Sequence, residues 1–175
     1  AYHKWYSSIF YTHNLKRFDN TKETNYGLAI ENRLLLLEPL NLEKRTLNPF
    51  PKLFVSSKEN EDTVALFEQY KIDRNAKVIM ISLLGSEQNK TYPLEYMAKV
   101  VEYVTTHENV IILFNYFEEQ IENAKEIYNL CSKVTQEKIK FDLLGNNLRS
   151  FIAIMNRCDV IVGNDGGAIN MAKAL

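Results

Sequence analysis

Only two cysteines, Cys131 and Cys158, occur in 175 residues, and both sit in apolar, helix-like stretches. That excludes a disulfide framework and leaves two thiols of the kind usually buried in a reducing compartment. Neither sign of charge is in excess, since 21 basic and 22 acidic residues leave a net charge of −1. No whole-molecule field therefore draws the chain to nucleic acid or to an anionic membrane, which still leaves room for a local basic pocket. Long apolar runs are missing too. Stretches such as Val110-Ile111-Ile112-Leu113-Phe114 fall far short of the roughly 20 residues that a membrane-spanning helix requires. No charged segment followed by an apolar one opens the chain, so the expectation is a soluble, cytoplasmic protein without a signal peptide. The three histidines, His3, His13 and His107, are scattered and offer no paired metal-ligand spacing. No metal is expected. Two phosphate motifs are also absent. There is no Gly-Lys-Ser/Thr, and Leu83-Leu84-Gly85-Ser86-Glu87-Gln88 has neither the triple glycine nor the immediate helix of an NAD site.

What is present is globular: 46% hydrophobic and 25% charged residues, enough for one ordinary domain or one domain and a remnant of another. Two styles of sequence meet near Asn48-Pro49-Phe50-Pro51, where two prolines fix φ and remove donors, as suits a connector. Before it, Tyr2, Trp5, Tyr6, Phe10, Tyr11 and Phe18 crowd a short stretch. Buried aromatic faces are the commoner explanation, with a membrane-facing patch the rarer one. A polar run over 19–25 and a Leu-rich helical pattern over 26–38 follow.

After the boundary, strands and helices alternate. The spacing predicts a helix over 59–70 and a strand at Val78-Ile79-Met80-Ile81-Ser82, apolar almost throughout as a strand covered on both faces should be. A helix over 94–105 carries Leu94, Met97, Val101 and Val104 on one stripe. A strand over 110–114, a helix bearing Ile121, Ala124, Tyr128 and Cys131, and a weaker strand over 139–144 come next. A helix over 148–156, a strand at Val160-Ile161-Val162 and a helix starting near Ala168 complete the series. The fold class is α/β, with a Rossmann-like, doubly wound parallel sheet.

Five of the six glycines, Gly85, Gly145, Gly163, Gly166 and Gly167, cluster at the predicted carboxyl ends of strands. Ligands of open α/β sheets bind at that edge. Gly145 alone reads as an ordinary turn. Asn164-Asp165-Gly166-Gly167 reads as more, because two adjacent glycines exceed what one turn needs, and the helix that follows presents free amides to an anion. Lys90, in the loop after the first strand, suits either a pyrophosphate or a solvated loop position. Glu118 begins the helix after the second strand, where it reads as a capping carboxylate that could also bind a ribose hydroxyl.

Residues 158–172, Cys-Asp-Val-Ile-Val-Gly-Asn-Asp-Gly-Gly-Ala-Ile-Asn-Met-Ala, resemble the signature of glycosyltransferase family 9, the heptosyltransferase family. That signature is a strand, Asn-Asp-Ser/Thr-Gly-Pro, then a helix rich in His and Ala. Lys90-Thr91-Tyr92-Pro93 resembles the family's Lys-Arg-Trp-Pro element, and Glu118 falls where the family has a glutamate. The likeness runs over about 78–175 and weakly back through 26–70. It implies the C-terminal half of a GT-B fold: residues 1–50 as a remnant of the acceptor-side domain plus a linker, and 51–175 as the nucleotide-sugar domain, cut short at its end.

The resemblance further implies metal-independent, inverting transfer from a nucleotide-diphosphate sugar to a lipopolysaccharide or other glycan or lipid-linked acceptor, with no cofactor and no nucleic-acid partner. Lys90, Asn164, Asp165, Gly166, Gly167 and Asn170 would bind the donor diphosphate and sugar, and Glu118 its ribose. The general base is expected outside this chain, and peripheral contact with the inner face of the inner membrane through the missing domain. Gly166 stands for the usual Ser/Thr, Ala168 for Pro, Asn170 for His, and Thr91-Tyr92 for Arg-Trp. A cradle of backbone amides tolerates such changes better than sugar specificity does. The alternative reading is a non-catalytic nucleotide-binding or scaffold domain of the same fold.

Overall fold

In a computed structural model that describes residues 2–6, 8–20, 26–40, 50–107, 109–164 and 166–175, the chain divides into two units. Ala1–Lys52 holds the helix α1 (Leu28–Leu35), and Leu53–Leu175 holds a parallel sheet with its helices. The boundary anticipated at Asn48 to Pro51 begins outside the described residues, and the division between the units falls just after Pro51.

The sheet consists of β1 (Lys77–Ser82), β2 (Val110–Asn115), β3 (Ile139–Lys140) and β4 (Val160–Gly163) in the order β3-β2-β1-β4. Every pairing is parallel. The chain steps outward from β1 through β2 to β3, then returns to place β4 on the other side of β1. Strand order therefore reverses between β1 and β4. Two side chains clamp β4 to β1. At the amino end the Val78 N–H donates to Asp159 Oδ2 at 2.8 Å, and the Asp159 N–H donates to the Val78 carbonyl at 2.8 Å. Asn164 does the same work at the carboxyl end.

Alternate strand residues face opposite ways, and helices cover both faces. Ile79, Ile81, Ile112 and Phe114 pack against α3 (Leu94–Thr105) and α4 (Ile121–Leu130) through Met97, Ala98, Val101, Ala124 and Ile127. Val78, Met80, Ile111 and Leu113 pack against α2 (Ser57–Gln69), α6 (Leu148–Asn156) and α7 (Gly167–Ala172) through Phe67, Ile154, Met155 and Met171. Burying one such side chain contributes roughly 1.5–3 kcal/mol, so this two-sided core is what holds the sheet.

The third strand departs from expectation. Over 139–144 only Ile139 and Lys140 pair, because the Leu143 N–H then donates to Lys140 and the Leu144 N–H to Asp142, turning the chain. An unanticipated helix, α5 (Lys133–Lys138), precedes it. Ser132 caps α5 by accepting from the Thr135 N–H, while the Glu102 carboxylate on α3 accepts from the Ser132 N–H, the Ser132 hydroxyl and the Thr135 hydroxyl. Burial pushes the Glu102 pKa up, but these three donors outweigh it and hold the carboxyl below its ordinary value.

A capping box starts α2: Ser56 Oγ accepts from the Glu59 N–H at 3.3 Å and Glu59 Oε2 accepts from the Ser56 N–H at 2.8 Å. Arg149 at the start of α6 donates to both Glu59 oxygens at 2.6 Å, and to the Phe54 carbonyl at 2.8 Å. The Arg149 guanidinium first, then the Ser56 donors, hold the Glu59 carboxyl at about 2, against 4.5 for a free glutamate. The unfolded chain takes up this proton near pH 4.5 and the folded one only near pH 2. The contribution to stability is therefore full above about pH 4.5 and is lost as pH falls toward 2. Glu59→Gln should flatten the stability profile across that window, and urea titrations at pH 7 and pH 3 measure it. An equal loss in both proteins would refute the assignment.

In the first unit, buried Asn32 of α1 reaches back to Phe18, accepting from its N–H at 2.8 Å and donating to its carbonyl at 3.0 Å. Tyr2 donates its hydroxyl to the Asn32 carbonyl. The aromatic stretch does not form the buried face that was expected. Trp5 is 86% and Phe10 78% exposed, because among its described residues this segment makes a 3-10 turn (Ser8–Phe10) and one isolated bridge, Tyr2 to Leu15. Neither offers a face to pack. Among the described residues no helix is long and apolar enough to cross a membrane.

Candidate functional site

Because β1, β2 and β4 run parallel, the loops that follow them emerge at one edge of the sheet. The loop after β1 is central and folds back on itself. A side chain at Gly85 would collide with the Lys90 carbonyl, so only glycine permits this path. The Gly85 N–H donates to Thr91 Oγ1 at 3.1 Å, and the Thr91 hydroxyl donates to the Glu87 carbonyl at 2.9 Å. A 3-10 turn, Gln88–Lys90, lies between them, and Pro93 then leads into α3.

A carboxamide on each neighbouring loop holds this central one. After β2, Gln120 Oε1 accepts from the Phe117 N–H at 3.0 Å while its Nε2 donates to the Gly85 carbonyl at 3.1 Å. After β4, Asn164 Nδ2 donates to the carbonyls of Leu83 at 3.0 Å and Ser82 at 3.3 Å, and its Oδ1 accepts from the Tyr92 N–H at 2.7 Å. Asn164 was nominated from sequence as a donor contact. In the fold both ends of its carboxamide serve to position the loops.

Gly163 permits this closeness. It is the last residue of β4, opposite Ser82, and a Cβ there would lie 2.5 Å from the Ser82 carbonyl oxygen and 2.6 Å from its Cβ. Gly166 and Gly167 differ in kind. A Cβ at Gly166 would meet only the Asn164 oxygen at 3.9 Å, and at Gly167 nothing within 4 Å. Neither adopts the left-handed φ that favours glycine, and packing demands neither glycine. The N-cap at Gly166 supplies no side-chain hydrogen bond to the first amides of α7. Asp165 lies outside the described residues. Asn170 is exposed on α7.

The remaining nominated residues reach the same edge by topology. Lys90 ends the turn after β1, with Nζ 2.9 Å from Glu87 Oε1 in an ion pair about half exposed on both sides. Glu118 opens a 3-10 turn after β2 and is exposed, and Gln120 of that turn rather than Glu118 reaches the central loop. A cavity of about 690 Å³ opens between the loop after β1 and the start of α4, with Ser86, Glu87, Gln88 and Thr91 on one side and Gln120 and Asn123 on the other. Sequence reasoning missed these side chains, since nothing local marks Gln120 or Asn123 as facing a loop 35 residues away.

Burial raises both thiols, Cys131 to about 11 and Cys158 to about 12, with the nearby carboxylates of Glu102 and Asp159 adding to it. Neither is a thiolate nucleophile at neutral pH. Among the described residues no group of three or more His, Cys, Asp or Glu is placed to hold a metal ion.

Comparison with known proteins gives the chain a family. The profile of glycosyltransferase family 9 (heptosyltransferase) matches residues 4–175, a longer stretch than the 78–175 over which the resemblance was strongest. No curated protein matches the chain. Among solved structures, the glycosyl transferase family 9 protein of Veillonella parvula is similar at a TM-score of 0.74 and 17% identity, over 97% of this chain and 46% of its own. The ADP-heptose LPS heptosyltransferase II of E. coli is similar at 0.61 and 21%, over 77% of this chain and 39% of its own. The E. coli heptosyltransferase WaaC, solved with ADP-2-deoxy-2-fluoro heptose, is similar at 0.57 and 13%, over 97% and 47%. These likenesses are of fold, the Rossmann-like half of a GT-B architecture. The chain spans less than half the length of each of the three.

Proposed function

The chain belongs to glycosyltransferase family 9, and from that premise we propose that it binds a nucleotide-diphosphate sugar, the donor for inverting, metal-independent transfer to a lipopolysaccharide or other cell-envelope glycan. One observation carries the reading. Asn164 and Gln120 lock three loops together at the carboxyl edge of a parallel sheet, beside the point where strand order reverses. Ligands of open α/β sheets sit in that crevice.

Each group then has a role consistent with its place. The uncapped amides at the start of α7, behind two glycines with open space before them, suit the oxygens of a diphosphate. Lys90 supplies a cation from the adjoining loop. Glu118 is assigned to a ribose hydroxyl, and Asp165 and Asn170 to the sugar. Inverting transfer needs stabilisation of the departing diphosphate and a base for the acceptor hydroxyl. These residues address the first. The base and the acceptor site, with any contact at the inner face of the inner membrane, are assigned to protein outside these residues.

Calorimetry with ADP, UDP and GDP sugars tests the reading. One of the three should bind weakly, and amide shifts should concentrate at Gly166, Gly167 and Lys90. Absence of binding by all three, or shifts confined to the opposite edge of the sheet, would remove the donor site from this chain.

A further inference from the structure

Glu118 and Gln120 share one 3-10 turn after β2. The carboxamide of Gln120 is half-buried and uses both of its ends. Its oxygen accepts from the Phe117 N–H at 3.0 Å, which closes its own turn. Its nitrogen donates to the Gly85 carbonyl at 3.1 Å, at the root of the loop that carries Lys90. A carboxylate could supply the first bond and not the second, because it has no donor.

A grip on Gly85 reaches Lys90 because the loop after β1 closes on itself. The backbone of Lys90 lies where a Gly85 side chain would stand. Thr91 joins the two ends, accepting from the Gly85 N–H at 3.1 Å and donating to the Glu87 carbonyl at 2.9 Å. This closed loop is held from two sides. Gln120 holds it at Gly85, and Asn164 holds its far end at the Tyr92 N–H. The first tie sets Lys90 relative to Glu118. The second sets it relative to the glycines after β4.

We infer that Gln120 is a positioning residue that fixes the spacing between Lys90 and Glu118, and so between the diphosphate and nucleoside ends of a ligand. The inference rests on the assignment of those two residues to the donor. Asn164 has a different duty, since its bonds go to Ser82, Leu83 and Tyr92. That division separates two classes of ligand. A nucleoside diphosphate spans both contacts and needs the Gln120 tie. Inorganic pyrophosphate meets Lys90 without reaching Glu118, and does not need it.

Calorimetry of the 175-residue chain with ADP, UDP and GDP, and separately with inorganic pyrophosphate, tests this. Gln120→Met is close to glutamine in size and removes the tie without adding charge. It should weaken the best-bound nucleoside diphosphate by roughly two- to tenfold, the worth of one neutral hydrogen bond, and pyrophosphate by less than about twofold. Gln120→Glu keeps an acceptor for the Phe117 N–H and loses the donor to Gly85. Its Tm should stay within about 2 °C of wild type while nucleotide affinity falls, which a merely structural role would not produce. Asn164→Ala should weaken both ligands together. Equal losses of nucleotide and pyrophosphate in Gln120→Met, or no loss of either, overturn the inference and leave the donor reading standing. A larger fall in the Tm of Gln120→Glu reduces Gln120 to a cap of its own turn, and overturns it too. A wild-type chain that binds none of the three nucleotides strikes the donor reading, and the inference with it.

Discussion

Lys90→Ala should weaken binding of the nucleotide sugar by roughly tenfold to a hundredfold, the about 1.5–3 kcal/mol of a hydrogen bond to a charged group. Lys90 is the cation offered by the central loop, and the Gly85 fold-back fixes the turn that carries it. Its ion pair with Glu87 tempers the effect without cancelling it. The pair is about half exposed, so its own worth is about 0.2–1 kcal/mol, less than a contact with a diphosphate. An ammonium has three donors and can keep Glu87 while meeting the ligand. The loss should therefore fall toward the lower end of the range, and it should shrink further as salt rises. Arginine at the same position should restore most of the affinity. Calorimetry of wild type, Lys90→Ala and Lys90→Arg at two ionic strengths measures all three statements. Unchanged affinity in Lys90→Ala would take Lys90 out of the site and leave the backbone amides alone.

Gly163→Ala should destabilise the sheet-bearing unit by about 1–3 kcal/mol, because the new methyl group overlaps backbone that cannot step aside. The obstructing atoms are the Ser82 carbonyl oxygen and Cβ, at 2.5 and 2.6 Å, on the central strand of a two-sided core. For a chain of this length Tm moves roughly 2–4 °C per kcal/mol, so thermal unfolding reads the effect directly. The same displacement should pull Asn164 away from Ser82 and Leu83, and nucleotide binding should fall with it. Gly167→Ala should behave in the reverse way. Nothing lies within 4 Å of its Cβ, and alanine is the better helix former, so stability should hold or rise. Ligand affinity should drop, since the methyl group occupies the approach to the first amides of α7. If both variants lost stability equally, the two glycines would have the same structural role, and the double-glycine turn would no longer mark a ligand site.

The amino-acid sequence by itself determined the elements whose causes are local. Apolar runs with both faces hydrophobic became β1, β2 and β4, and the 3.6-residue stripes became α3, α4 and α6 close to the anticipated bounds. Capping boxes at Ser56 and Asn147 set the starts of α2 and α6 within three residues of chain. Residues 158–172 were also enough to suggest the family that the whole-chain profile then matched. Tertiary structure decided what depends on partners far along the chain. Glu102 docks the cap of α5 from 30 residues away, and β3 ends after two residues where Leu143 and Leu144 turn back onto Lys140 and Asp142. Asn164 meets Tyr92 across 72 residues and Gln120 meets Gly85 across 35, so neither positioning role has any local signal. The difference between Gly163 and Gly167 was equally invisible. Both are glycines near a strand end, and only the neighbouring strand shows that one avoids a collision while the other faces open space. Periodicity and capping act within a turn or two of chain, whereas a site at the edge of a parallel sheet is assembled from loops that only the order of the strands brings side by side.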